Sequence, residues 1–216
     1  MTDRLYERPR AALAVAAGGL VVTALLIGAL SSFVGLPGVI VDLAVTAVPL
    51  MATVVVGVIV GGGAFATALG LASWRWADAL AGFGVALVVR AAVELTAPTT
   101  GAIGGFGGDA TIVLALVSAA AVSPVVEEFF FRGFAQRAVG DAVGGARGQA
   151  IAVLVGVVAF VGLHWVAAGS LSVALLVATI GTGLGCGVLV AATGRLGGAL
   201  VAHVVFNAIG VGLLVW

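Results

Sequence analysis

The 216-residue chain carries nine basic and nine acidic residues, so its formal net charge is zero; only 8% of its residues are charged and 62% are hydrophobic. A soluble globular domain, in which roughly 25% of residues are charged, is excluded. A single cysteine, Cys186, rules out an intrachain disulfide and reads as a small apolar residue in a glycine-rich helix.

Apolar runs near the ~20 residues that a helix needs to cross a bilayer recur along the chain. The first predicted span, 11–33, follows Arg4, Arg8 and Arg10. It is too long for a signal-peptide core and lacks a clear cleavage site, so it is expected to stay as a mature span. Pro37 and Gly38 break the pattern before a second span at 39–61, where Asp42 near one end can snorkel or hydrate. The stretch 62–78 reads as a loop, a re-entrant piece or an interfacial helix anchored by Trp74 and Trp76. A third span at 79–97 holds Arg90 and Glu94, four residues apart on one face and able to neutralise each other, with a role in substrate binding as the other reading. Pro98 to Gly108 and Gly140 to Gly148 bound a fourth span at 111–134; spans at 149–167, 171–191 and 196–216 complete the chain. The expected fold is all-α: a polytopic transmembrane bundle of about seven helices, eight if 62–78 supplies one, forming a single integral-membrane domain over residues 1–216.

The chain has no lysine, and its arginines orient it. With seven spans, Arg4, Arg8, Arg10, Arg75, Arg132, Arg137, Arg147 and Arg195 all fall on one side, and the opposite loops near 34–38, 98–110 and 168–170 carry no basic residue. The positive-inside rule puts the N-terminus in the cytoplasm and Trp216 on the far side. One crossing more or fewer would scatter the arginines.

The fourth span contains PVVEEFFFRGF. A carboxylate at membrane depth costs about 2.5–3.5 kcal/mol on insertion scales, so two adjacent acids, Glu127 and Glu128, are hard to explain as packing. On a helix, Arg132 lies ~40° from Glu128 but ~140° from Glu127. Arg132 therefore pairs with Glu128, and Glu127 is left as a candidate base, with Pro124 expected to kink the helix beside it. The chain's only histidines are also intramembrane: His164 ends FVGLH with Phe160 one turn before it, and His203 begins HVVFN with Asn207 one turn after it. Together with the acids they outline a site.

These strings, EEFFFR, FVGLH and HVVFN, match Glu-Glu-x-x-x-Arg, Phe-x-x-x-His and His-x-x-x-Asn, in order and on successive late helices. They resemble the CPBP family of intramembrane endopeptidases, which contains the CAAX prenyl proteases and the bacteriocin-processing or immunity (Abi) proteins. The resemblance covers the core at about 110–212. It implies that Glu127, with His164, activates water for attack on a peptide carbonyl, that Phe160 lines the site, that His203 and Asn207 stabilise the oxyanion, and that Glu128 and Arg132 hold the acid in place. It also implies a hydrophobic or lipidated peptide or protein substrate reached from the cytoplasmic side, with the bilayer as partner and no nucleic acid. The family is customarily labelled metalloprotease. There is no HExxH here, and Arg132 beside Glu128 argues against both acids being ligands; a metal-free mechanism is favoured, and a zinc ion would be held by Glu127, His164 and His203.

One feature strains this reading. At 1.5 Å per residue Glu127 lies ~15 Å from Arg137 and His203 ~12 Å from Arg195, but His164 comes out ~25 Å from Arg147. Either the fifth helix starts late, with 144–151 dipping into the bilayer, or it is strongly tilted. A proton-coupled transporter or channel would also use intramembrane Glu, His and Asn, but the polar motifs all follow residue 123, without duplicated halves. A non-catalytic immunity protein of the same fold is the third reading.

Overall fold

The computed structural model describes residues 4–30, 37–99 and 109–215. Positions 31–33 of the predicted first span, most of the loop at 98–110, and Trp216 lie outside these residues.

The helices are α1 (Pro9–Leu30), α2 (Gly38–Gly61), α3 (Phe65–Ala68), α4 (Trp76–Thr96), α5 (Ala110–Val143), α6 (Gly145–Ala168), α7 (Val173–Thr193) and α8 (Gly197–Val215). Among the described residues there is no strand, and all helices but α3 are long and apolar enough to cross a membrane. The chain is thus a multi-pass helical bundle. The stretch 62–78 adds no eighth span. Gly62 and Gly70, both in the left-handed region, confine it to the single turn of α3, an extended run reaches Arg75, and α4 begins at Trp76.

The largest departure from expectation is α5. Its 34 residues would span ~51 Å if straight, and it runs well past the predicted end at 134. Gly140 does not break it; that glycine stays helical, its carbonyl accepting from the Gly144 N–H at 2.8 Å with Gly148 close against it. The break predicted for 140–148 shrinks to Gly144, whose φ of 81° only glycine adopts readily. Asp109 starts the helix, its carboxylate accepting from the backbone N–H of Thr111 (2.7 Å) and Ile112 (3.3 Å).

Among the described residues three π-helical stretches occur, Leu43–Ala47 in α2 and Ser118–Val122 and Phe129–Ala135 in α5. The first two lie just before Pro49 and Pro124. Proline supplies no N–H, so the carbonyl a turn earlier loses its partner, and a widened turn absorbs the mismatch. The expected distortion at Pro124 thus takes the form of a π stretch.

Two packed groups form the core. Helices α1, α2, α5 and α6 enclose Tyr6, Leu50, Val54, Phe130, Phe131, Phe134 and Phe160; α4, α7 and α8 meet around Ala86, Val89, Cys186, Ala199, Ala202 and Phe206. Tyr6 is fully buried, and that burial pushes its hydroxyl's pKa above the ordinary tyrosine value. Glycine brings the helices together: a Cβ on Gly57 would enter the Phe134 ring, and one on Gly82 would strike the Gly198 carbonyl across the α4–α8 crossing. Bulky residues such as Leu25, Ile59, Val88 and Val158 point outward, as on a surface bathed in lipid.

Candidate active site

The candidate side chains meet at the seam between the two groups. Glu127 and Glu128 come from α5, Phe160 and His164 from α6, and His203 from α8. Glu128 is fully buried and Arg132 is 1% exposed, and they pair across one turn at 3.0 Å (Oε1 to Nη1). The i,i+4 reasoning anticipated that pair. It did not anticipate the second partner: His203 Nδ1 lies 2.8 Å from the same Glu128 oxygen. A carboxylate can only accept, so Nδ1 carries the proton and donates, and the ring turns its Nε2 toward Glu127.

His164 is set in the same way. Its Nδ1 donates to the Phe160 carbonyl one turn back (2.9 Å), which directs Nε2 at Glu127. Glu127 Oε2 therefore lies 3.7 Å from His164 Nε2 and 3.8 Å from His203 Nε2. Both gaps are too long for direct hydrogen bonds and suit one small bridging species.

The depth conflict for His164 disappears with the true end of α5. Arg137 is not at a span boundary but buried inside α5, so it was the wrong reference point. Counted from the turn at Gly144, Glu127 is 17 residues back and His164 20 residues on, ~26 and ~30 Å along adjoining helices. The two therefore come level without a dipping segment, since α6 is helical from Gly145.

Phe160 is the hub of the packing. Its ring is 1% exposed and lies 4.4 Å from the Arg132 guanidinium, 4.3 Å from the His164 ring and 5.6 Å from that of His203. Phe131, which no sequence pattern singled out, meets it edge-on at 5.1 Å. Asn207 stands apart from this cluster: its Nδ2 donates to the Ala119 carbonyl in the π stretch of α5 (2.9 Å), tying α8 to the helix that carries the acids. Arg90 pairs with Glu94 at 3.2 Å, as its spacing suggested, and also donates to the Phe206 carbonyl at 3.0 Å while stacking 4.2 Å from the Phe206 ring. Gly210 leaves the room that Arg90 needs. Asp78 and Arg195, unremarked in the sequence as partners, form an ion pair between the start of α4 and the α7–α8 turn, which raises the Arg195 pKa.

Two imidazole nitrogens and a carboxylate oxygen are donors that a divalent ion accepts, and the engaged Nδ1 atoms resemble the second shell of metal sites. Glu127, His164 and His203 are the residues that would hold one. As they stand, no group of three or more His, Cys, Asp or Glu side chains among the described residues is placed to hold a metal ion.

Residues 109–209, which contain the glutamate pair and both histidines, match the family described as Rce1-like, type II CAAX prenyl endopeptidase. Over that stretch the chain is similar to the Rce1-like family. The likeness is to CAAX-type membrane proteases, and α5 to α8 are the helices that carry it. No curated protein and no solved structure matches the chain. Within the Rce1-like region lie all the residues that meet at Glu127, while α1, α2 and α4 supply the walls around them.

Proposed function

We propose that this protein hydrolyses a peptide bond by a water held between Glu127 and His164. One observation carries the reading: a buried carboxylate oxygen sits between two imidazole Nε2 atoms whose Nδ1 atoms are both anchored. The water gives a proton to Glu127 Oε2 as its oxygen attacks the carbonyl carbon, and His164 Nε2 accepts a hydrogen bond from its other proton. His203, protonated and donating from Nε2, stabilises the oxyanion; Asn207, bonded to the Ala119 carbonyl, would join it only by turning its second amide proton toward the site. Donors of this kind are worth about 3–4 kcal/mol each in a low-dielectric site. Glu127 then passes its proton to the departing nitrogen as the C–N bond breaks. Glu128 and Arg132 act through His203, holding its ring in one orientation. A divalent ion held by Glu127, His164 and His203 would supply a more acidic bound water; the proton steps above need only the side chains.

The substrate class follows the family description: a peptide ending in a prenylated cysteine motif, or another hydrophobic peptide end, entering from the arginine-rich face, which the positive-inside rule assigns to the cytoplasm. Purified protein assayed against prenylated and unprenylated fluorogenic peptides tests this. Glu127→Ala should lower kcat by about 10²–10⁴-fold, the usual worth of a general base, and His203→Ala should also slow turnover. Undiminished cleavage by Glu127→Ala would sink the mechanism. Loss of activity to a chelator, restored by zinc, would replace the metal-free version.

A further inference from the structure

Apart from the candidate site, a cavity of about 1050 Å³ opens where the ends of α5, α6 and α7 meet the segment before α1 and the 62–75 loop. None of Glu127, Glu128, His164 and His203 lines it. Its notable wall is Arg137, 8% exposed. One nitrogen of that guanidinium donates to the Gly194 carbonyl and Nε has no hydrogen-bond partner; among the described residues no carboxylate is within ion-pair distance of it, Asp141, one turn on, attracting it only at longer range. A guanidinium so far removed from water is costly without a counter-charge. Gly70 closes over it, since a Cβ there would collide with Arg137 Nη2.

Two further positive features face the same space. Arg4 lines it, and so do Gly144, Gly145 and Ala146 at the N-terminus of α6, a 24-residue helix with no side-chain cap. Its first N–H groups lack intrahelical partners and carry the positive end of the helix dipole. The one acid in the wall, Asp141, is already engaged, its Oδ2 accepting from the N–H of Leu5 (2.6 Å) and Tyr6 (3.0 Å). Two arginines and a helix N-terminus against one committed carboxylate leave the cavity positive.

We propose that this cavity is a phosphate-binding site whose occupant is the headgroup of an anionic phospholipid. Phosphate suits a guanidinium and a helix N-terminus together. The volume exceeds what a bare phosphate fills and falls in the range of sites for larger ligands, and the position at the ends of membrane-spanning helices is where lipid phosphates lie.

The test is a titration of delipidated, full-length protein in detergent with dihexanoyl phosphatidylglycerol, dihexanoyl phosphatidylcholine, glycerol phosphate and inorganic phosphate, read by native mass spectrometry. Phosphatidylglycerol should bind saturably, and Arg137→Gln should weaken it at least about tenfold, the scale of one charge-assisted hydrogen bond. Ala146→Asp should weaken it similarly. That change places an acid in the first turn of α6, which favours the helix, so it carries the test if Arg137→Gln does not fold. Arg147→Gln, exposed and outside the cavity, should change nothing. Competition by glycerol phosphate or inorganic phosphate with the same Arg137 dependence would uphold the site and name a soluble phosphate as its occupant. Equal binding of both lipids, indifferent to Arg137→Gln and Ala146→Asp, would overturn it. No protease substrate enters the measurement, so its failure is separate from failure of the proposed hydrolysis.

Discussion

Glu128 has two cationic or proton-bearing partners on different helices, Arg132 within α5 and His203 from α8, and no exposure to solvent. Removing one member of a buried ion pair typically costs about 3–5 kcal/mol because the other is left uncompensated, whereas replacing both by apolar groups costs much less. Arg132→Ala should therefore lower the melting temperature sharply, more than Arg132→Met with Glu128→Leu in one chain. A double-mutant thermal series in detergent measures the difference, and additive losses would show that the pair is not coupled. Phe160 should act through packing as well as through the site: Phe160→Leu keeps an apolar filler but removes the face over Arg132 and the edge against both histidine rings. The expected result is a modest stability loss with a larger fall in kcat, read by melting and turnover on the same preparation.

At the level of elements, backbone proximity at glycines decides whether the site assembles. Gly82 of α4 lies against the Gly198 carbonyl of α8, five residues before His203. Gly82→Val should wedge α4 from α8 and cost about 1–3 kcal/mol, as overpacking does, and should weaken turnover by moving His203 away from Glu128 and Glu127. Glycine-scanning with melting and kinetic readouts checks this; unchanged turnover in Gly82→Val would mean that α8 is positioned from elsewhere, with Arg90 the next candidate. Such crossings mark how far the sequence could be read. The pairing of Glu128 with Arg132 was legible because helical spacing alone determines it. The approach of His203 to Glu128 was not, since 75 residues separate them and only the α5–α8 packing joins them. The end of α5 was misread because Gly140 looks like a breaker in isolation, while it stays helical, its carbonyl accepting from the Gly144 N–H with Gly148 close against it. Arg137 then served as a false depth marker. Asn207 follows His203 by one turn, but its bond to Ala119 depends on a carbonyl at the π stretch, which no residue pattern announces.

For the whole molecule, the arginine distribution sets the expected orientation. Cys186 is fully buried, so a cysteine-free version made by Cys186→Ala is a mild change on which single reporter cysteines can be placed. Arg147→Cys at the start of α6 should react with a membrane-impermeant maleimide only from the cytoplasmic side, and Ser170→Cys, beyond the far end of α6, only from the other. The reverse labelling would invert the bundle and with it the face from which substrate enters.

The meeting of three helices at one carboxylate also bears on how the protein is made. Glu127, Glu128, Arg132 and His164 belong to the α5–α6 hairpin, whereas His203 arrives with the final helix. During synthesis the Glu128–Arg132 pair can enter the bilayer already neutralised within one turn, but His203 has no place until some 75 further residues have left the ribosome. A nascent chain therefore carries the acid and its brace without that imidazole, and it stays unarmed until α8 has been made and packed.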